Sequence, residues 1–242
     1  AEILAIEPSL TEVPDHAYHV AEEGMLEPLA TTQALLDAAT ALGAEVLART
    51  PVRWLVEAHG RVSGVMIEEG VIHADETIVA AGAVSAELLD SVGIRLRMTA
   101  PAGLLTHSKP TRPLLNGLVM TPGLHLRQTP EGRIVAGTDF AGAGPVDNAE
   151  ALAQELQSRV EVLVTGAKGI GLDYHTVGYR PTPADGLSAI GRPQARAGLY
   201  AVVTHSGVTL APALGLFAAA EILGGQRDPL IAPFAPDRTG LT

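Results

Sequence analysis

Residues 199–220 constrain the fold of this chain more than any other stretch. They run from an apolar strand pattern at 199–203, through Thr204, His205, Ser206, Gly207, Val208 and Thr209, into an apolar helix pattern that contains Pro212. A strand that feeds a helix through a turn of small residues is a building unit of α/β sheets. Such a turn also leaves the first N–H groups of the helix without intrahelical acceptors, so they point at whatever lies in front of it. Upstream, residues 178–186 (GYRPTPADG) hold one arginine, Arg180, in a segment stiffened by Pro181, Pro183 and a glycine at each end. The planar fork of a guanidinium matches a carboxylate through two parallel hydrogen bonds.

The remaining pattern mixes both periods. A helix is expected over 28–42, with Leu29, Leu36 and Ala39 on one face, Leu35 and Leu42 beside it, and Gly43 as its stop. Strands are expected near 18–21, 46–47 and 52–57, and His59 with Gly60 turns the chain back through 61–67. The apolar run 77–81 ends at Gly82 and precedes a helix over 85–92. From 96 to 137 strands and turns dominate, and Pro130, Glu131 and Gly132 mark a hairpin. Asp147 or Asn148 can cap a helix in which Leu152, Leu156, Val160 and Leu163 recur at helical spacing. Further strands are expected over 174–180 and 199–203. The fold class is therefore α/β plus α+β, with alternation over 26–93 and 187–224 and antiparallel texture over 96–140.

Composition narrows the function classes. A net charge of −11 argues against nucleic acid and anionic membranes as partners. The chain has no cysteine, which excludes disulfides and thiolate metal sites and fits a reducing, cytoplasmic setting. The opening Ala1, Glu2 and Ile3 lack a basic n-region, so no signal peptide is expected. The longest uncharged apolar run, 206–220, is broken by Pro212 and falls short of the roughly 20 residues of a membrane span. The histidines show no metal-binding spacing, Ser206 lacks the setting of a hydrolase nucleophile, and Asp185 beside Gly186 reads as a turn residue.

In their order and pairing, 178–186 and 204–212 resemble the C-terminal half of the flavin-dependent amine oxidases of the D-amino-acid oxidase, glycine oxidase and sarcosine oxidase superfamily. The resemblance extends from about Gly24 to Arg238. It implies a partial FAD-binding, Rossmann-like domain, 24–95 and 170–242, interleaved with an antiparallel-sheet substrate domain, 1–23 and 96–169. It also implies non-covalent FAD. Residues 24–28 match the family segment that precedes a helix of the flavin domain, and Val52 matches the strand position whose backbone meets the adenine. Ala81 and Gly82 match the strand-to-glycine turn beside the pyrophosphate and ribose, although Val84 stands where most relatives have tryptophan. Gly191 and the closing 233–238 are also in keeping with the family.

For the reacting side of the flavin, the resemblance puts Arg180 on the substrate carboxylate, with Tyr179 as a possible pocket wall. His125 stands where some relatives carry a pocket tyrosine and could hydrogen-bond a carboxylate or amine. Arg127, two residues on, would share its face. Gly207, Val208, Thr209 and Leu210 would face the flavin N1 and C2 carbonyl, where reduction gathers negative charge; the amides of Val208, Thr209 and Leu210 are the expected donors. The implied activity is oxidation of an amino acid or secondary amine to an imine by hydride transfer to flavin N5, followed by hydrolysis. Substrate identity, chirality and the final electron acceptor stay open.

The family normally opens with a strand, a Gly-x-Gly-x-x-Gly turn and a helix, and this chain has no such motif. The glycines of 166–171 have another order and follow a helix pattern, so they read as a loop. The resemblance therefore implies the C-terminal part of a longer or two-chain enzyme, with an N-terminal FAD-binding chain or fragment as partner. A reading from another class stands beside it: a flavin-free, non-catalytic subunit or small-carboxylate binding module of the same fold.

Overall fold

The protein is described here by a computed structural model covering residues 2–138 and 148–241. Its helices are α1 (Glu2–Ile6), α2 (Pro28–Ala41), α3 (Ser85–Asp90), α4 (Ala149–Leu163) and α5 (Ala211–Gly224). Its strands are β1 (Trp54–Ala58), β2 (Arg61–Ile67), β3 (Gly70–His73), β4 (Thr77–Val79), β5 (Met98–Thr99), β6 (Ala102–Ser108), β7 (Val119–Thr121), β8 (Leu124–Gln128), β9 (Ile134–Gly137), β10 (Leu172–Tyr179), β11 (Thr182–Pro183), β12 (Ala189–Gly191) and β13 (Leu199–Val203). Two compact units share them: Ala1–Ala38 with Pro101–Tyr179, and Ala39–Ala100 with Arg180–Thr242.

The first unit is built on a five-stranded antiparallel sheet in the order β10-β6-β9-β8-β7. Strict alternation along β6 buries Ala102, Leu104, Thr106 and Ser108 and turns Gly103, Leu105 and His107 to the other face. The buried face meets α4, where Ala153, Leu156 and Val160 pack on Leu104, Leu124, Leu126, Ile134 and Ala136. The Asn148 side chain accepts from Ala151 N–H at 3.1 Å and caps α4, while Asp147 lies outside the described residues. After α4 the glycines of 166–171 do form a loop. The Glu161 carboxylate accepts from the N–H groups of Gly169 and Gly171, which holds its carboxyl below the usual carboxylate range.

The second unit centres on a three-stranded sheet, β12-β13-β4, antiparallel at β12–β13 and parallel at β13–β4. Each face has its own core. Leu199, Ala201, Val203 and Val79 face α3 and the β1-β2 hairpin, through Leu89, Leu55 and Val62. Tyr200 and Ile190 face α5, through Leu214 and Ala218. The α5 side is tied by a buried polar network. Tyr200 donates to Glu221 at 2.7 Å, and Arg227 donates to the same carboxylate and to the carbonyls of Ile190 and Ile231. Burial, followed by the Glu221 carboxylate, pushes the Tyr200 hydroxyl pKa upward.

Several expected elements differ. Residues 18–21 form no strand, and Tyr18 is fully exposed. Residues 46–47 are irregular, and β1 starts at Trp54 rather than at 52; pairing begins where Arg53 N–H reaches Met66 O at 2.8 Å. The apolar face of α2 is not buried in this chain: Leu29 is 84% exposed and Leu35 62%. Strand β10, grouped by the resemblance with the closing segments, pairs with β6 in the first unit. The His59-Gly60 turn is as expected, with φ of 52° and 76°, the left-handed pair that a two-residue hairpin turn requires.

Candidate active site

In the second unit, two segments of polar and glycine residues are hydrogen-bonded to each other. The Thr204 hydroxyl accepts from Ser188 Oγ at 2.8 Å and from Ser206 N–H at 3.2 Å, which fixes the start of the turn after β13. Leu210 N–H donates to Ser206 O at 2.9 Å and closes the turn, so Leu210 is not available as an outward donor, contrary to expectation. Gly207, Val208 and Thr209 are exposed, and among the described residues no acceptor takes their N–H groups. Helix α5 begins directly behind them, with Pro212 in its first turn, and its positive end adds to the field of these amides.

Arg180 opens the same unit and is half-buried. Its carbonyl accepts from Thr182 Oγ1 at 3.4 Å, and Thr182 and Pro183 then pair with Thr99 and Met98 in the short β5-β11 ladder. The segment continues into a turn in which Asp185 receives Arg238 through two hydrogen bonds, at 2.7 and 2.8 Å. That hydrogen bonding holds the Asp185 carboxyl below the usual carboxylate range, and its second contact, to Leu187 N–H, makes it a turn-forming residue as the sequence implies. On the far side of the sheet, β4 ends at Val79. The exposed Ala81 gives its N–H to Ser85 Oγ at 3.1 Å, and Gly82 follows with φ of 60°. Val52 is 37% exposed and lies just before β1 rather than in a strand.

The other candidates belong to the first unit. Paired residues share a face, so the register sets out rows across the sheet side turned away from α4. One row is Tyr174, His107, Val135 and Arg127; the next is Thr176, Leu105, Gly137, His125 and Met120. The imidazole of His125 rests on Gly137, where an added Cβ would stand 2.8 Å from His125 Nε2 and 2.7 Å from Leu105 Cδ2. Arg127 does share the face of His125, but it is engaged: Glu27, from the segment before α2, takes both of its terminal nitrogens. Tyr179 pairs with Ala102 and so projects to the side opposite His125.

Sequence reading missed three features here. Glu27 is one hundred residues from Arg127 in the chain, and no local signal connects them. Gly137 closes a strand and reads as an ordinary turn glycine. His107 stacks on Tyr174 with centroids 4.3 Å apart, and burial, then Arg127 and Arg133, pull its pKa below the usual imidazole value. The alternation of β6 and β10 could have paired these two rings, given the register. Among the described residues there is no cluster of three metal-ligating side chains, and no helix is long and apolar enough to cross a membrane.

The profile of the family described as "DAO: FAD dependent oxidoreductase" matches residues 1–221. The chain is similar to a glycine oxidase of Pseudomonas putida, 33% identical over 75% of this chain and 51% of that protein. It is also similar to a D-amino-acid oxidase of Bradyrhizobium diazoefficiens, 30% identical over 88% of this chain and 52% of that protein. Among solved structures, glycine oxidase from Geobacillus kaustophilus superposes with a TM-score of 0.83 at 25% identity, covering 98% of this chain and 65% of that one. An L-proline dehydrogenase from P. horikoshii shares the fold, with a TM-score of 0.77 at 21% identity, over 86% of this chain and 59% of that one. The chain spans about half the length of the curated relatives it matches.

Proposed function

Since the chain belongs to the family of FAD-dependent oxidoreductases, we propose that it forms the substrate-gripping and flavin-facing part of an enzyme that oxidises an amino acid or a secondary amine. The observation that carries this reading is the turn 204–210. It presents the amides of Gly207, Val208 and Thr209 outward at the positive end of α5, on a scaffold shared with the segment of Arg180.

These residues suit a heterocycle that gathers negative charge as it is reduced. Exposed backbone donors and a helix N-terminus stabilise negative charge without the cost of a buried cation. Gly207 adds no bulk, and an added Cβ there would meet nothing in this chain. Ala81 and the left-handed Gly82 leave the backbone after β4 open to close approach by a phosphate or ribose. When bound, the flavin supplies the two-electron oxidation of the substrate carbon–nitrogen bond. The chain supplies orientation. Arg180 would grip the carboxylate through its planar fork.

The second unit also motivates a partner. A parallel strand pair is ordinarily covered on both faces. Here β4 stands at the sheet edge with Ile78 51% exposed, and Leu216 on α5 is 69% exposed. A preceding dinucleotide-binding segment, in the same chain or a separate one, would pair with that edge and cover those side chains.

The test is Arg180→Leu in the full-length, flavin-loaded enzyme. Loss of a charge-assisted hydrogen-bond pair should raise the apparent substrate KM roughly 10- to 100-fold. An unchanged KM would remove the carboxylate-clamp assignment.

A further inference from the structure

We propose that His205 is a positioning residue that locks the arginine-bearing segment to the flavin-facing turn, so that the two move as one body. The proposal rests on the reading of Arg180 and 207–209 given above, and it assigns His205 a role that the family resemblance does not supply.

The imidazole has both nitrogens engaged. Nε2 stands 3.1 Å from Gly186 O, and Nδ1 stands 2.9 Å from Ser206 Oγ. A carbonyl oxygen only accepts, so the proton sits on Nε2, and Nδ1 must accept from the Ser206 hydroxyl. The ring thus bridges the two segments. Gly186 lies in the turn that follows Arg180, and Ser206 lies at the head of the turn that presents the outward amides.

The bridge has a companion and two anchors. Ser188 Oγ donates to Thr204 Oγ1, linking the same two segments a second time through buried hydroxyls. At one end, the 183–187 turn is clamped by Arg238 on Asp185 and by Gly186 N–H on Pro183 O at 2.8 Å. At the other end, Ser206 O accepts from Leu210 N–H and ties the turn to α5. Hydrogen bonds therefore tie the turn after Arg180 to the head of α5, and His205, like Ser206 and Leu210, is partly exposed. Nothing in this arrangement requires a histidine for core packing. What the arrangement requires is a side chain that donates to Gly186 O and accepts from Ser206 Oγ.

A positioning role predicts more than loss of stability. In the full-length flavoenzyme, acetate serves as a minimal carboxylate probe, and its binding is read from the perturbation of visible flavin absorption. His205→Leu should weaken acetate binding about 10-fold, the effect of roughly one hydrogen bond lost at each nitrogen. It should also raise amide hydrogen exchange in peptides covering 183–190 and 204–212 together. His205→Gln, whose amide nitrogen reaches the place of Nε2, should recover most of the acetate affinity. Ser206→Ala, which spares the Gly186 contact, should fall between. If His205→Leu leaves both acetate affinity and exchange unaltered, or loosens only one of the two peptides, the lock is overturned. Arg180→Leu separates this failure from that of the parent reading. If it leaves acetate binding intact, the clamp assignment fails, and the paired exchange still decides the role of His205. Should His205→Leu not fold, Ser206→Ala and His205→Gln carry the same comparison.

Discussion

The sheet of the first unit gives one face to α4 and keeps the other for polar and aromatic side chains; the sheet of the second unit carries apolar cores on both faces and still leaves apolar residues uncovered. The difference follows from strand direction. An antiparallel ladder tolerates one wet face, so β6, β8 and β10 can place His107, His125, Arg127 and Tyr174 there without loss to the core beneath. A parallel step offers no such face. Val79 is buried toward α3, whereas Ile78, its neighbour in β4, turns to the α5 side and is 51% exposed. The first unit thus carries polar and aromatic side chains on a finished core, and the second carries a turn and a sheet edge suited to being covered.

The largest expected effect breaks the α5 side of the second unit. Glu221 is 6% exposed and is held by Tyr200 and Arg227. Arg227→Met would strand that carboxylate and two backbone carbonyls, at a cost of about 3–5 kcal/mol. The guanidinium also fills the space beside Gly191, where an added Cβ would stand 2.1 Å from Arg227 Nη1. Chemical denaturation should show the loss in the second unit. A change under 1 kcal/mol would mean that the network does not hold α5 to β12 and β13.

A paired truncation sharpens the contrast between the units. Leu156 of α4 is fully buried under the first sheet, so Leu156→Ala should cost about 2–5 kcal/mol, whether or not a preceding segment is present. Leu216 of α5 is 69% exposed. Leu216→Ala should therefore stay within about 0.5 kcal/mol in this chain alone. In the full-length enzyme it should cost clearly more, because the proposed segment would cover that side chain. Equal small effects in both contexts would argue that the α5 surface is never covered.

Much of this contrast is legible in the sequence, and the exceptions have physical causes. The helical spacing of Leu152, Leu156, Val160 and Leu163 reports α4, because one apolar stripe meets one sheet. The turn 204–210 is legible because a strand, small residues and a proline-started helix stand in fixed order, and the structure trims its donors by spending Leu210 N–H on Ser206 O. Residues 18–21 mislead, because β-branched and aromatic residues report propensity and not the presence of a pairing strand. Glu27 on Arg127, and His205 between Gly186 and Ser206, are long-range polar contacts that leave no periodic trace. Such contacts decide how polar side chains are held, so the candidate site is less legible than the fold that bears it.

The smallest effect probes the wet face itself. His107 sits in the row between Tyr174 and Val135, its Nε2 is 3.2 Å from Thr176 Oγ1, and burial with Arg127 and Arg133 lowers its pKa below 6.5. In the unfolded chain the imidazole keeps its ordinary value, so below about pH 6.5 the unfolded state takes up a proton that the folded state resists. Stability of the first unit is therefore full above that pH and declines as pH falls from about 6.5 toward the lower folded value. Replacing the ring by one that stacks on Tyr174 without titrating, as in His107→Phe, should flatten this part of the stability–pH profile while leaving the acid limb to which the Glu161 carboxylate contributes. A wild-type profile that is level between pH 7 and pH 5 would show that neither burial nor the guanidinium groups of Arg127 and Arg133, each already paired with a carboxylate, resist protonation of His107. A sloping profile that His107→Phe removes would show that burial, together with the two guanidinium groups, resists protonation of His107.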